Sequence, residues 1–274
     1  MFDDFLNDYV RRGKERTATT YYKLLGQFER WLADRGVANF DREHVIVFLD
    51  ERGWSNSSRN LFLAALRGWA KFTRGYAEDG KEQARLSRIE SLKYYTVRRE
   101  EKQALTLEQI QDLLGAMDPD TAALFWLLLW FGFRVGELKL IQNVDYERGR
   151  LVVETEKVGG TRPLFFDAYT AKILKHAIEF NLHLLPEKKI WEHLRRYSSY
   201  CAPTKLTPHI CRHTFASHFA TLTDRDTLRR MLGHGAKETT DIYVHVPEER
   251  IREVMVVRHY LKPLEPDGGE PDGG

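Results

Sequence analysis

Cysteine is scarce in this chain: Cys201 and Cys211 are the only two among 274 residues. Two thiols cannot staple a chain of this length, and their spacing fits no zinc finger, which argues against a disulfide-held secreted scaffold and a structural zinc module. A reducing cytoplasm is the expected home. Long apolar runs are missing too. The longest, Ala122 to Phe133, falls well short of the roughly 20 residues a membrane helix needs and reads as a buried helix. The opening Met1-Phe2-Asp3-Asp4 is acidic where a secretory signal would be basic, so no leader is expected. No internal repeat stands out.

Charge of one sign is not in large excess, with 42 basic against 40 acidic side chains. The end of the chain hides part of the surplus, however. Residues 264–274 carry Glu265, Asp267, Glu270 and Asp272 and no base, so taking these four acids from the net +2 leaves +6 on residues 1–263. That modest basic balance suits a nucleic-acid partner. The Gly-, Pro- and acid-rich stretch 264–274 is expected to be disordered. The length favours two domains, and with 42% apolar residues both can bury a core.

Residues 1–95 read as helix throughout. From Thr17 to Arg35, Tyr21, Leu24, Leu25, Phe28, Trp31 and Leu32 recur at helical spacing and share one face. Further helices are expected from Asp41 to Arg52 and from Ser57 to Tyr76. On the latter, Leu61, Phe62, Ala65, Leu66, Trp69, Phe72 and Tyr76 cover one side, while Arg67, Lys71 and Arg74 stand opposite. Such a basic stripe is either a solvated face or a surface for phosphates. Residues 96–103 then hold a single apolar side chain, marking a linker over 96–104.

Thr106 and Gln109 make a capping box that opens the second half. Arg134 directly follows the apolar stretch, either paired structurally with Glu137 or pinned as a site group to a rigid element. Between Val144 and Phe166 the period changes: Leu151–Val153 and Pro163–Phe166 read as short strands, with turns at Gly149 and at Gly159-Gly160 and with Lys157 on the second turn. Helices resume over 167–185 and 187–197. Pro208 suits a first helical position, so His209 and Arg212 fall on one face and can grip a single phosphate. Asp224 caps a helix that Gly233 stops after Leu232, which leaves His234 on a turn.

His209 and His213 have the spacing of helical zinc ligands, but Ile210 stands where a metalloprotease needs Glu. No metal and no cofactor is expected. For His213 and His218 the expected roles are packing or capping, and Tyr197, Tyr200 and Tyr260 read as core-edge residues.

Four boxes stand in order: Gly132-Phe133-Arg134-Val135-Gly136-Glu137-Leu138, the hairpin with Lys157, His209-Ile210-Cys211-Arg212, and Leu232-Gly233-His234 followed nine residues later by Tyr243. On these boxes the chain resembles the tyrosine recombinase (phage integrase) family, of the simpler Xer-like type. The resemblance implies a mainly α fold, with an N-terminal helical core-binding domain over 1–95 and an α+β catalytic domain over 105–263 that holds a small antiparallel sheet. It implies a site-specific recombinase acting on double-stranded DNA as a synaptic tetramer, through a 3′-phosphotyrosyl intermediate and a Holliday junction, in integration and excision or in chromosome dimer resolution.

The resemblance also assigns roles. Tyr243 is the nucleophile, Arg134 and Arg212 steady the phosphate charge, and Lys157 protonates the leaving hydroxyl. His209 and His234 hydrogen-bond the phosphate, with His209 a candidate to take the tyrosine proton, and Glu137 braces Arg134. Arg67, Lys71 and Arg74 become DNA contacts. A type IB topoisomerase-like relaxing enzyme and a non-catalytic DNA-binding regulator are the alternatives. After Pro247, a helix from Glu248 to about Leu261 carries an apolar wedge of Ile251, Val254, Met255, Val257 and Leu261. This wedge packs on its own domain or, as the resemblance implies, docks on a neighbouring protomer.

Overall fold

In the computed structural model, which describes residues 1–97, 103–154, 161–233 and 246–265, the chain folds as two units, Met1–Glu100 and Glu101–Gly274. The first unit holds five helices among its described residues: α1 (Asp3–Arg11), α2 (Glu15–Asp34), α3 (Arg42–Glu51), α4 (Asn56–Arg74) and α5 (Gly80–Glu90). Local side chains set where three of them begin. Asp41 accepts the amides of Glu43 and His44 ahead of α3, Ser55 accepts that of Ser58 ahead of α4, and Asp79 accepts that of Lys81 ahead of α5.

Aromatic rings fill the core of this unit. Phe28 lies 4.9 Å from both Phe40 and Phe48 and 5.5 Å from Phe62, mostly in tilted or edge-on arrangements. The apolar face of α4 differs in part from the expected one. Leu61 and Tyr76 are exposed, while Leu63 and Ala70 are buried, because α1, α2 and α5 all pack on α4 and shift its covered side. Asn60 clamps the segment that follows α5, donating to the Tyr95 carbonyl at 2.8 Å and accepting the Tyr95 amide at 2.7 Å.

The second unit is built around α7 (Pro119–Phe131), whose residues from Ala123 to Phe131 are all buried. Before it, α6 (Leu107–Ala116) opens on the reciprocal Thr106–Gln109 capping box. After α7 a 3-10 turn, Val135–Leu140, leads to a three-stranded antiparallel sheet of β1 (Gln142–Asp145), β2 (Arg150–Glu154) and β3 (Thr161–Phe165) in that spatial order. β1 escapes the sequence pattern because its pairing with β2 shifts register between Gln142 and Asp145, where Asn143 takes a left-handed φ of 53°. Then follow α8 (Ala168–Glu179), α9 (Glu187–Arg195), α10 (Pro208–Leu222) and α11 (Arg225–Leu232). α8 stops short of the expected Leu185, since Asn181 adopts φ 54° and a 3-10 turn replaces the helix over Leu182–Leu184.

The C-terminal segment takes up one of two expected placements. α12 (Glu248–Arg252) runs directly into a π turn, Glu253–Val257, and Ile251, Val254, Met255 and Leu261 are fully buried in this unit's own core. Of the wedge, Val257 alone stays exposed, at 71%. Of the two placements the sequence left open, these four side chains take the one in cis. Two further contacts fasten the segment: the His259 ring stacks on Trp130 at 3.8 Å, and the Tyr260 hydroxyl donates to the Leu129 carbonyl at 2.9 Å. Lys262 pairs with Asp167 and with Glu265, a residue of the expected acidic tail. Residues 266–274 of the expected acidic tail lie outside the described residues.

Candidate active site

The site grows from the end of α7. Gly132 takes a left-handed φ of 60°, and a Cβ there would stand 2.6 Å from the Phe215 ring, so only glycine allows α10 to approach this closely. The sharp exit puts Arg134 at the start of the 3-10 turn. Its backbone amide donates to Glu137 Oε2 and its Nη1 to Glu137 Oε1, both at 2.9 Å. Glu137 is wholly buried, while the Arg134 side chain remains about one-third exposed, at 36%.

Two more guanidiniums converge on the same carboxylate. Arg212, on α10, stands 3.7 Å from Glu137 Oε2 and donates at 2.7 Å to the carbonyls of both Gly132 and Leu232. Arg162, on β3, lies 2.6 Å from Glu137 Oε2 and donates to the Met231 carbonyl. Three cations thus surround one anion. Burial pushes the Arg212 guanidinium down to about 10, helped by the neighbouring charges of Arg134 and Arg162. Burial likewise lowers Arg162 to about 10, with Glu137 working against the shift. Both remain charged at neutral pH, so the cluster holds a surplus of positive charge that an anion at its open edge would relieve.

The carbonyls taken by Arg162 and Arg212 close the last turn of α11, the negative end of that helix. Asp224 fixes the other end by accepting the amides of Asp226 and Thr227, and Gly233 ends the helix with a left-handed φ of 64°. Thr207 caps α10, Pro208 occupies its first position, and His209 is exposed one residue later. Arg134, Glu137 and Arg212 are brought together as their boxes suggest. His234, Tyr243 and Lys157 lie outside the described residues. Arg162 is the residue that sequence reasoning missed: no spacing marks it, and its neighbours Thr161 and Pro163 give no pattern of their own.

Comparison with known families matches residues 103–250 to the phage integrase family and residues 2–75 to the phage integrase N-terminal SAM-like domain. The chain belongs to the phage integrase family. It is similar to the tyrosine recombinase XerA of Thermococcus kodakarensis, 31% identical with 86% of each chain covered. The XerA of Thermococcus onnurineus is 29% identical over 93% of this chain and 86% of its own. Among solved structures, a lambda integrase dimer bound to a COC′ core site shares the fold with a TM-score of 0.68, at 15% identity over 89% of this chain and 97% of that one.

As a tyrosine recombinase this integrase-family chain breaks and rejoins DNA strands, and its remaining side chains fall into place around that task. Cys211 is fully buried and its thiol is pushed well up by burial, so it is inert packing between His209 and Arg212. His218 stacks on Tyr260 at 4.4 Å and bonds the Leu105 carbonyl at 2.9 Å. The Tyr197 hydroxyl is taken by Asp118 at 2.9 Å. In the first unit the basic stripe is less open than expected. Arg74 pairs with Glu90 at 2.9 Å and Arg67 sits 4.6 Å above the Tyr94 ring, while Lys71 is exposed.

Proposed function

We propose that this chain is a site-specific recombinase that cuts each strand with Tyr243 and conserves the phosphodiester energy as a 3′-phosphotyrosyl link. The Tyr243 oxygen attacks phosphorus and its proton passes to His209. The bond from phosphorus to the 5′ oxygen breaks, and that oxygen takes a proton from Lys157. Attack by the 5′ hydroxyl of the partner strand reverses the step and yields a Holliday junction. The observation that carries this reading is the arginine cluster about Glu137: Arg134 and Arg212 present preorganised forks of N–H donors where charge builds on the non-bridging oxygens. His209, exposed at the start of α10, and His234 complete the phosphate contacts.

A lambda integrase tetramer on a Holliday junction shares this fold with a TM-score of 0.67. We extend its assembly to this chain as a synaptic tetramer on double-stranded DNA, in which Lys71, with Arg67 and Arg74 beside it, contacts phosphates. The expected setting is the cytoplasm, a reading supported by two free, buried cysteines. The test is a nicked suicide duplex that lets the cleaved end diffuse away. Wild-type protein is expected to accumulate a denaturant-stable protein–DNA adduct, and Tyr243→Phe to bind the same duplex without forming one. An adduct at wild-type yield in Tyr243→Phe would overturn the assignment.

A further inference from the structure

We propose that Arg162 is a positioning residue for strand cleavage, locking the β2–β3 hairpin that carries Lys157 to the arginine cluster and to the last turn of α11. The inference rests on the assignment of Lys157 as the acid. Arg162 pairs with Val153 across the hairpin, five residues beyond Lys157. Among the described residues its strand is the edge of the sheet, with no further strand on its outer side. α11, α12 and the π turn pack on this strand, and the Arg162 side chain, 2% exposed, adds polar anchors to that packing.

One guanidinium touches three segments. Nη2 meets Glu137 on the 3-10 turn, Nη1 meets the Met231 carbonyl on α11, and the group lies 5.8 Å from the Phe133 ring centre in the segment leaving α7. Arg212 takes the Leu232 carbonyl, next to Met231, so two arginines hold adjacent carbonyls just before the Gly233 turn. The hairpin, the phosphate-binding arginines and the turn leading to His234 thus share one buried connector. Stability alone accounts poorly for it. Its Nε is buried without a hydrogen-bond partner among the described residues, and an apolar side chain would fill the space without that desolvation cost. What an apolar side chain cannot do is fix the hairpin to two polar anchors at once.

The test compares Arg162→Met and Arg162→Lys with wild type on two nicked duplexes, both built on a sequence that wild-type protein traps covalently. One has the ordinary phosphodiester at the scissile position, and the other has sulfur in place of the bridging 5′ oxygen. A thiolate leaves without a proton, so the sulfur duplex bypasses the acid. Arg162→Met is expected to form adduct at least ~10-fold more slowly than wild type on the oxygen duplex and within ~3-fold of it on the sulfur duplex, the mark of a misplaced acid. Arg162→Lys, which keeps the charge near Glu137, should recover part of the oxygen rate and serves as the test if the methionine variant does not fold. Equal slowing on both duplexes, wild-type rates on both, or loss of cooperative melting in both variants would overturn the proposal. Absence of a Tyr243 adduct in the wild-type protein would instead strike the cleavage reading itself.

Discussion

Glu137 Oε2 and Arg162 Nη2 stand 2.6 Å apart with both side chains sealed from solvent, and this pair is the base on which Arg134 and Arg212 are held. Removing the carboxylate charge leaves three guanidiniums facing one another. Glu137→Gln is expected to cost about 3–5 kcal/mol of stability, the usual penalty for breaking a buried ion pair. The check is urea unfolding with and without added sulfate. Because the unneutralised arginines gain anion affinity, sulfate should raise the variant's midpoint more than the wild type's, and an equal rise in both would contradict the cluster's role.

Arg134→Ala and Arg212→Ala should each slow covalent adduct formation by at least ~10²-fold, the loss expected when a preorganised charge stabiliser is removed. They part company in stability. Arg212 also holds the carbonyls of Gly132 and Leu232, so its variant should melt earlier, whereas Arg134 is partly exposed and its variant should melt near the wild type. Excess EDTA should change neither rate nor yield; metal-dependent cleavage would revive zinc binding at His209 and His213.

Helix starts were legible in the sequence because the side chains that set them lie within three residues: Thr106 with Gln109, Asp224 with Thr227, Pro208 after Thr207. Arg134 and Glu137 were legible for a related reason, since Gly132 and Gly136 stand beside them where the chain leaves α7, and Arg212 because it follows His209 by three residues on the helix that Pro208 opens. Arg162 was not. Its partners Glu137 and Met231 lie 25 and 69 residues away, and a lone arginine in a strand carries no local sign of such contacts. The wedge after Pro247 was visible as apolar, but periodicity says only that a face must be buried. Trp130 and Leu129, which receive His259 and Tyr260, decide where.

Lys71 is exposed on α4, whereas Arg74 is held by Glu90 and Arg67 by Tyr94. Lys71→Glu should therefore weaken DNA binding and lower the slope of log affinity against log salt by about 1. Arg74→Ala should do less. Fluorescence anisotropy over a salt series reads both, and an unchanged slope in Lys71→Glu would return this face to plain solvation.

His259 accepts the Leu261 amide at Nδ1 and donates from Nε2 to the Trp130 carbonyl, an arrangement that needs a neutral ring. Burial pushes its pKa down to about 3. The unfolded chain protonates this imidazole near about 6.5 while the folded chain does not, so its contribution is present above that pH and is lost as pH falls toward the folded value. Unfolding free energy should drop by up to about 1.4 kcal/mol per pH unit below about 6.5 from this group. His259→Phe, which keeps the stack on Trp130, should show a shallower acid slope in urea titrations between pH 7 and 5. Parallel slopes would remove His259 as the source.

A chain ending at Val246 loses Ile251, Val254, Met255 and Leu261, all fully buried in a segment whose α12 and π turn pack on β3, together with the His259 stack and the Tyr260 hydrogen bond on α7. Each such aliphatic side chain contributes about 1.5–3 kcal/mol when buried, and four of them approach the whole of a domain's net stability of about 5–15 kcal/mol. The truncated chain should therefore lose the cooperative melting of its second unit rather than merely fail to assemble. The five-helix first unit has its own aromatic core around Phe28 and should keep its helical signal in circular dichroism. A truncated protein that melts cooperatively as two units, binds single sites and fails only in cooperative binding would show that the segment serves assembly between protomers, and would overturn the packing in cis.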